Sequence, residues 1–355
     1  MEAVLIYVMA GFALLGAIDR VLGNRLGLGE PFERGILSMG TLALSMLGII
    51  ALAPVLSGVL RPVVVPVFTF LGADPAMFAG TLLACDMGGA VLARELTADP
   101  QAAVLGGLIT GSMLGATLIF TIPVAMGILQ EQDRPFFARG ALYGVVTIPV
   151  GIFVGGVTAG FPVGMVLRNL LPIALIGALV AVGLWKWERA MLRGFVLFGK
   201  GVVALVTVGL GVAIVKSLTG FSLLPGLGAL EDGYLTVGGI AVVLAGAFPL
   251  VAVVTRVLEK PLGALGKGLG ISGASASGLV ATLANSVATL DKVKEMDSRG
   301  KVLNVAFAVS ASFAFGDHLG FAASFAPEYL VPVIVGKLAG GISAVALAWV
   351  LTKST

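Results

Sequence analysis

Apolar stretches of about 20 residues, each enough to cross a hydrocarbon core of roughly 30 Å as a helix, recur along this chain between short polar turns. The pattern predicts membrane elements at about 3–22, 36–60, 77–95, 102–128, 136–158, 164–185, 196–218, 236–257, 272–292, 302–324 and 329–351. Two are interrupted. Met77–Glu95 (MFAGTLLACDMGGAVLARE) and Ser275–Glu295 (SASGLVATLANSVATLDKVKE) carry Gly, Ser, Thr, Asn or Asp inside the apolar run. Broken backbone at membrane depth survives only where protein or a water-lined cavity satisfies its polar groups. Gly80 and Gly278 mark the two segments 198 residues apart, and that offset carries the first five elements close to the seventh through eleventh. The helix at 164–185 is left as a connector. Paired interrupted segments in two halves point to the binding site of a repeat-built transporter. The predicted fold is an all-α polytopic membrane protein with two inverted-topology repeats, each holding a broken re-entrant helical segment. The N-terminal repeat takes 1–160, the connecting helix and loop 161–195, and the C-terminal repeat 196–355.

Composition agrees: 58% of the 355 residues are hydrophobic and only 12% charged, half the ~25% usual in soluble domains. The 51 glycines suit helices packed backbone to backbone. Where the charges sit gives an orientation. If the N-terminus is outside and the interrupted segments do not cross, the inner loops collect Arg20, Arg25, Arg34, Arg134, Arg139, Lys186, Arg189, Arg193, Arg256, Lys260, Lys267, Lys292, Lys294, Arg299, Lys301 and Lys353. The outer side keeps little beyond Arg61, Arg94, Arg168 and Lys216. This is a positive-inside bias, and Trp185, Trp187 and Trp349 fall at the same inner interface, as an aromatic belt would have them. A single cysteine, Cys85, excludes an internal disulfide. Val4–Leu22 lacks the basic n-region and cleavage site of a signal peptide and reads as a retained helix.

Few groups inside the apolar elements can do chemistry. Asp86, within Cys85-Asp86-Met87-Gly88-Gly89, is a carboxylate at membrane depth, which marks a functional site by default. It either contacts a cationic ligand beside freed carbonyls or caps a half-helix. Asn285-Ser286 holds the matching place in the second segment, where the amide either meets a ligand or bonds local backbone. Asp317 adjoins the only histidine, His318, as a cation site, a proton relay or a structural pair. Ser310 and Ser312 read as interhelical hydrogen bonders, and Lys337 as a residue snorkelling to the outer surface. Gly107-x-x-x-Gly111-x-x-x-Gly115, Gly151-x-x-x-Gly155 and Gly336-x-x-x-Gly340 are helix-packing faces. Gly268-Leu-Gly270-Ile-Ser-Gly273 has dinucleotide-fingerprint spacing but no βαβ context. One histidine and one cysteine cannot assemble the usual zinc site, no protease, hydrolase or P-loop motif is present, and Lys292–Lys301 reads as a solvated loop. No cofactor, metal or nucleic-acid partner is expected.

The strings Ala53-Pro54-Val55-Leu56, Met77–Gly89, Gly278–Asn285, Met296-Asp-Ser-Arg-Gly-Lys301 and Phe315-Gly-Asp-His-Leu-Gly-Phe-Ala322 closely resemble the EutH family of bacterial ethanolamine permeases. The resemblance runs nearly end to end. It departs at Ser286-Val287-Ala288, where the family pattern has a second Asn and a Pro. It implies ethanolamine import across the inner membrane; the charge bias of the loops puts the N-terminus outside and the C-terminus in the cytoplasm, and no catalytic constellation points to an enzyme. Such a ligand, a small cation with one hydroxyl, wants a buried carboxylate, hydroxyl or amide partners and an aromatic face. Asp86 is expected to take the ammonium and Asn285 the hydroxyl, with Asp317 and His318 completing the pocket. Cys85 and Ser286 flank these groups, and Phe78, Phe120 and Phe315 are the aromatic candidates. Facilitated diffusion through a midplane site is the expected mode; a proton- or cation-coupled symporter of another small amine or amino acid is the alternative. The expected partners are ethanolamine, the lipid bilayer and, open to either outcome, a second copy of the chain.

Overall fold

The computed structural model describes residues 2–352, and the backbone alone for 2–3 and 258–267. The inner-loop assignments of Lys260, Lys267 and Lys353 therefore lie outside the described residues. Everything regular in the described chain is helical. Helices α1 (Glu2–Val21) and α2 (Gly29–Phe70) are followed by the short pair α3 (Ala76–Leu82) and α4 (Ala90–Leu96). Next, α5 (Pro100–Ala103) runs through π-helical turns at Val104–Gly115 and Thr117–Thr121 into α6 (Ile122–Ile128). Three long helices follow, α7 (Arg134–Thr158), α8 (Val163–Lys186) and α9 (Glu188–Thr219), and then α10 (Leu230–Leu269). A second short pair, α11 (Gly273–Ala284) and α12 (Ser286–Lys292), precedes α13 (Ser298–Ala311), α14 (Asp317–Phe325) and α15 (Leu330–Leu351). Eight helices among the described residues are long and apolar enough to cross a membrane.

Two predicted elements differ in length and one in kind. The apolar cores at 36–60 and 236–257 sit inside helices of 42 and 40 residues; α2 runs on through the polar 29–35 at its start and through the largely apolar 61–70 at its end. Pro54, Pro62 and Pro66 stay inside α2, as membrane helices tolerate when neighbours re-satisfy the backbone. The expected single span at 302–324 is two helices, α13 and α14, parted at Ser312–Gly316. Phe313 there takes φ +60°, a left-handed conformation that costs a non-glycine residue roughly 1–2 kcal/mol.

Hydrogen bonds sort the loops into two ends. At one end Arg256 donates to the carbonyls of Leu26 and Gly27 (2.7 and 3.1 Å), Lys301 pairs with Asp133 (2.6 Å) and Arg299 donates to Trp349 O (3.0 Å). Trp185, Trp187 and most of the described basic residues share this basic end. At the opposite end Asp74 N donates to Asn169 Oδ1 (2.6 Å), Arg94 donates to Phe325 O (3.1 Å) and Lys216 to Leu227 O (2.7 Å). The long helices run between the two ends. Both short pairs instead begin and finish at one end: Thr97 Oγ1 donates to Asp74 Oδ2 across the mouth of α3–α4 (2.9 Å), and Ser272 N to Asp297 Oδ1 across that of α11–α12 (2.8 Å). Lys292–Lys301 is therefore more than a solvated loop, since Asp297 also accepts from Ser275 Oγ and Gly300 N, and Lys301 is largely buried against Asp133.

Glycine lets these pieces close. Gly151 and Gly155 of α7 meet Gly336 and Gly340 of α15, as their spacing predicts. Gly107, Gly111 and Gly115 form the floor on which the first short pair lies: Gly107 against Gly89 and Ala90, Gly111 against Cys85, Gly115 against the carbonyls of Gly80 and Leu83. A side chain at Gly80 or Gly115 would collide with backbone atoms.

Candidate functional site

Both short pairs are broken at their tips. In the first, Leu83 and Ala84 are extended, and Met87 and Gly88 leave helical geometry, Gly88 at φ +99°. Ile49 fills the place a Gly88 side chain would take, so both the turn and its packing require glycine there. The tip turns Asp86 inward. In the second pair Asn285 is extended and caps α12, its Oδ1 accepting from Val287 N (2.8 Å). The freed carbonyls of Thr282 and Leu283 accept from Phe313 N (3.2 Å) and Phe315 N (2.9 Å). One broken helix thus satisfies the other, the condition for irregular backbone at membrane depth.

The α13–α14 break and the first tip enclose a cavity of about 30 Å³ lined by Ala84, Asp86, Met87, Ala116, Phe120, Phe313, Asp317 and His318. A water needs about 10–15 Å³ on this measure, so the space takes a few heavy atoms. Phe313 packs on the His318 ring at 5.2 Å and edge-on to Phe120 at 5.6 Å. Its left-handed backbone is what places the ring there. Behind the cavity lies Lys337, fully buried, donating to Ser112 O in the π-helical stretch (2.5 Å) and to His318 Nδ1 (3.0 Å). With Nδ1 accepting, the ring proton lies on Nε2, which faces Asp86 Oδ1 at 3.7 Å. That oxygen is buried and has no hydrogen-bond partner, an arrangement that costs free energy unless something pairs with it.

The structure brings Asp86 and Phe120 of the first half together with Asp317 and His318 near the end of the chain. Cys85 is buried just behind them; its Sγ, an Asp86 oxygen and a His318 nitrogen lie within 4.8 Å of one another. Those donors are spaced to surround one cation, and the Lys337 ammonium already faces the same imidazole. Phe78 packs edge-on against Phe68 instead (6.1 Å), and Phe315 is partly buried outside the cavity lining. Asn285 is exposed at its cap, while Ser286 Oγ is buried without a partner; neither lines the cavity. Lys337 corrects the snorkelling expectation: it is fully buried on the side of α15 that meets the π-helical stretch and α14, through Ser112 and His318. Its signal was legible, because an ionisable residue inside an apolar span is a site candidate by default. Phe313 had no such signal, since its role comes from the break.

An all-helical bundle in which eight helices among the described residues are long and apolar enough to cross a membrane, with polar helix breaks around a buried charged cavity, is that of a multi-pass membrane protein. The chain matches the family described as ethanolamine utilisation protein, EutH, over residues 1–351, and it belongs to that family. It is 54% identical over 344 residues to the probable ethanolamine permease EutH of Listeria monocytogenes, covering 97% of this chain and 92% of the relative. It is 48% identical over 349 residues to the uncharacterized protein YxeR of Bacillus subtilis (98% and 94% covered). With the probable ethanolamine permease EutH of Salmonella typhimurium it shares 46% over 386 residues (98% and 95% covered). No solved structure matches the chain.

Proposed function

We propose that this protein carries ethanolamine across the bacterial inner membrane, with Asp86 receiving the substrate ammonium. One observation carries the reading: Asp86 Oδ1 is a buried oxygen without a partner, opening on a cavity for a few heavy atoms. An ammonium there satisfies the oxygen, Phe120 and Phe313 offer aromatic faces, and Asp317 or His318 Nε2 meets the hydroxyl. Charge count agrees. Two carboxylates border the cavity, and Lys337 is the one fully buried Lys or Arg among the described residues, so a monocation balances the ionised set. The relatives' names add the substrate.

The architecture we infer is a pair of inverted repeats, 1–160 and 196–355, joined by 161–195, with α3–α4 and α11–α12 as re-entrant hairpins. Crosswise packing supports it: α1 lies on α10 and α2 on α9, α2 on α10, and α7 on α15, as a two-fold exchange of halves requires. The basic end is then cytoplasmic and the N-terminus outside. Passage toward the basic end runs past the second tip, where Asn285 and Ser286 offer polar contacts, and Thr282 and Thr289 bond each other (2.8 Å). No acid stands on that route at the tip, which favours facilitated diffusion. The contiguous Asp86, His318 and Lys337 group supports a second reading, proton coupling.

Ethanolamine uptake into proteoliposomes, with and without an imposed pH gradient, tests both. Wild type is expected to show saturable uptake indifferent to the gradient once ethanolamine ionisation is corrected for, and Asp86→Asn to abolish it in protein that still inserts. Near-normal uptake by Asp86→Asn reduces Asp86 to a structural role; uphill accumulation moves the mechanism to coupling.

A further inference from the structure

Far from that cavity, at the basic end, the starts of α7 and α9 and the end of α8 border an open groove of about 1110 Å³. Arg189, Arg193 and Lys200 follow one another on α9 at helical spacing, one stripe of a single face. Arg134 and Lys186 face them from the other two helices. Glu131 and Glu188 are the acids of the lining, and Glu131 already reaches Arg134 at 3.8 Å. Five cations against two acids leave the groove strongly positive. Among the described residues, Lys186, Arg189, Arg193 and Lys200 form no ion pair, although all four are exposed. The N-terminus of the 32-residue α9 opens into the same groove with no side-chain cap at Trp187; Ala190 N donates to Trp187 O, which leaves the Glu188 and Arg189 amides to favour an anion.

Two further features place this groove at a membrane surface. Trp185 and Trp187, 74% and 63% exposed, stand at the α8–α9 turn, where amphipathic rings sit at the headgroup level. Between Arg193 and Lys200 the stripe is apolar, with Val196 partly buried and Leu197 exposed, a wall for acyl chain beneath a phosphate. A soluble anion has no use for that wall or for the exposed indoles.

We propose that this groove binds the headgroup of an anionic phospholipid in the leaflet at the basic end, its phosphodiester held by Arg189, Arg193 and Lys200 with the α9 amides. Basic pockets between transmembrane helices hold such headgroups elsewhere. The proposal does not depend on the transport reading, because what is measured is lipid bound and not substrate moved.

The full chain in neutral detergent is titrated with phosphatidylglycerol, phosphatidylcholine or inorganic phosphate, and bound lipid is counted by native mass spectrometry. Phosphatidylglycerol is expected to bind at least tenfold more tightly than phosphatidylcholine, and Arg189→Gln/Arg193→Gln to lose about thirtyfold, in line with the ~1 kcal/mol each basic residue contributes near an anionic surface. Lys200→Gln alone is expected to lose several-fold, so the test survives if the double variant does not insert. Arg61→Gln, at the opposite end, is expected to bind as wild type. Equal retention of the two lipids, wild-type binding by the groove variants, or displacement of phosphatidylglycerol by millimolar inorganic phosphate would each overturn the proposal.

Discussion

Lys337, His318 and Asp86 form the most consequential contact in the molecule. A lysine fully removed from water is tolerated only with partners, and here they are the Ser112 carbonyl and the His318 ring, with Asp86 beyond. Breaking such a buried group by removing one member costs about 3–5 kcal/mol, because the others stay buried and unpaired. Lys337→Met is therefore expected to lower the detergent melting temperature sharply. Adding Asp86→Asn to it is expected to recover part of the loss, since the carboxylate that lacked its counter-charge is gone. A double-mutant cycle on melting temperatures checks this: coupled sites deviate from additivity by about 0.5–3 kcal/mol. Strict additivity would separate Lys337 from Asp86 and leave it a packing residue of α15.

Among the elements, the second short pair depends on how its mouth is tied. Burial would raise the Asp297 carboxyl, but hydrogen bonds from Ser275 Oγ and from the amides of Ser272 and Gly300 outweigh it and hold the group below its ordinary 3.8. A carboxylate depressed on folding contributes stability that is present above its unfolded value and lost as pH falls through the lower folded one. Asp297 also caps α13, and removing a cap costs about 0.5–2 kcal/mol. Asp297→Ala is thus expected to melt below wild type at pH 7, with the gap closing as pH falls below about 4. A gap that stays constant to pH 3 would show that the loss is one of packing and not of charge.

For the whole molecule, the two ends make opposite demands on a bilayer. Basic residues and tryptophans gather at one, and the short pairs open at different ends, α3–α4 opposite the basic end and α11–α12 at it. Single cysteines in a Cys85→Ala background read this directly. Glu231→Cys, exposed in the first turn of α10, is expected to label from outside the cell, and Lys294→Cys, exposed beyond α12, only after permeabilisation. Labelling of both from the same side would sink the orientation and the inversion of the halves together.

By itself the sequence determined the helical class, the approximate spans and the breaks within the two interrupted segments, because hydrocarbon thickness and backbone satisfaction leave few options for apolar runs containing Gly, Asp or Asn. Asp86, Asp317 and His318 were legible for the same reason: an ionisable group in such a run has to be accounted for. The α13–α14 break was not legible, since Ser312–Gly316 is apolar enough to continue a helix, and it parts because its amides find the carbonyls of Thr282 and Leu283. Tertiary structure alone decided which candidates meet. Asn285 and Phe78 belong to segments as polar or aromatic as those of Asp86 and Phe120, yet the folding of each hairpin tip turns them elsewhere. Lys337 shows the reason most plainly: its side chain reaches far enough to snorkel or to stay buried, and only the neighbouring helices, by closing its route to water and presenting Ser112 and His318, settle which.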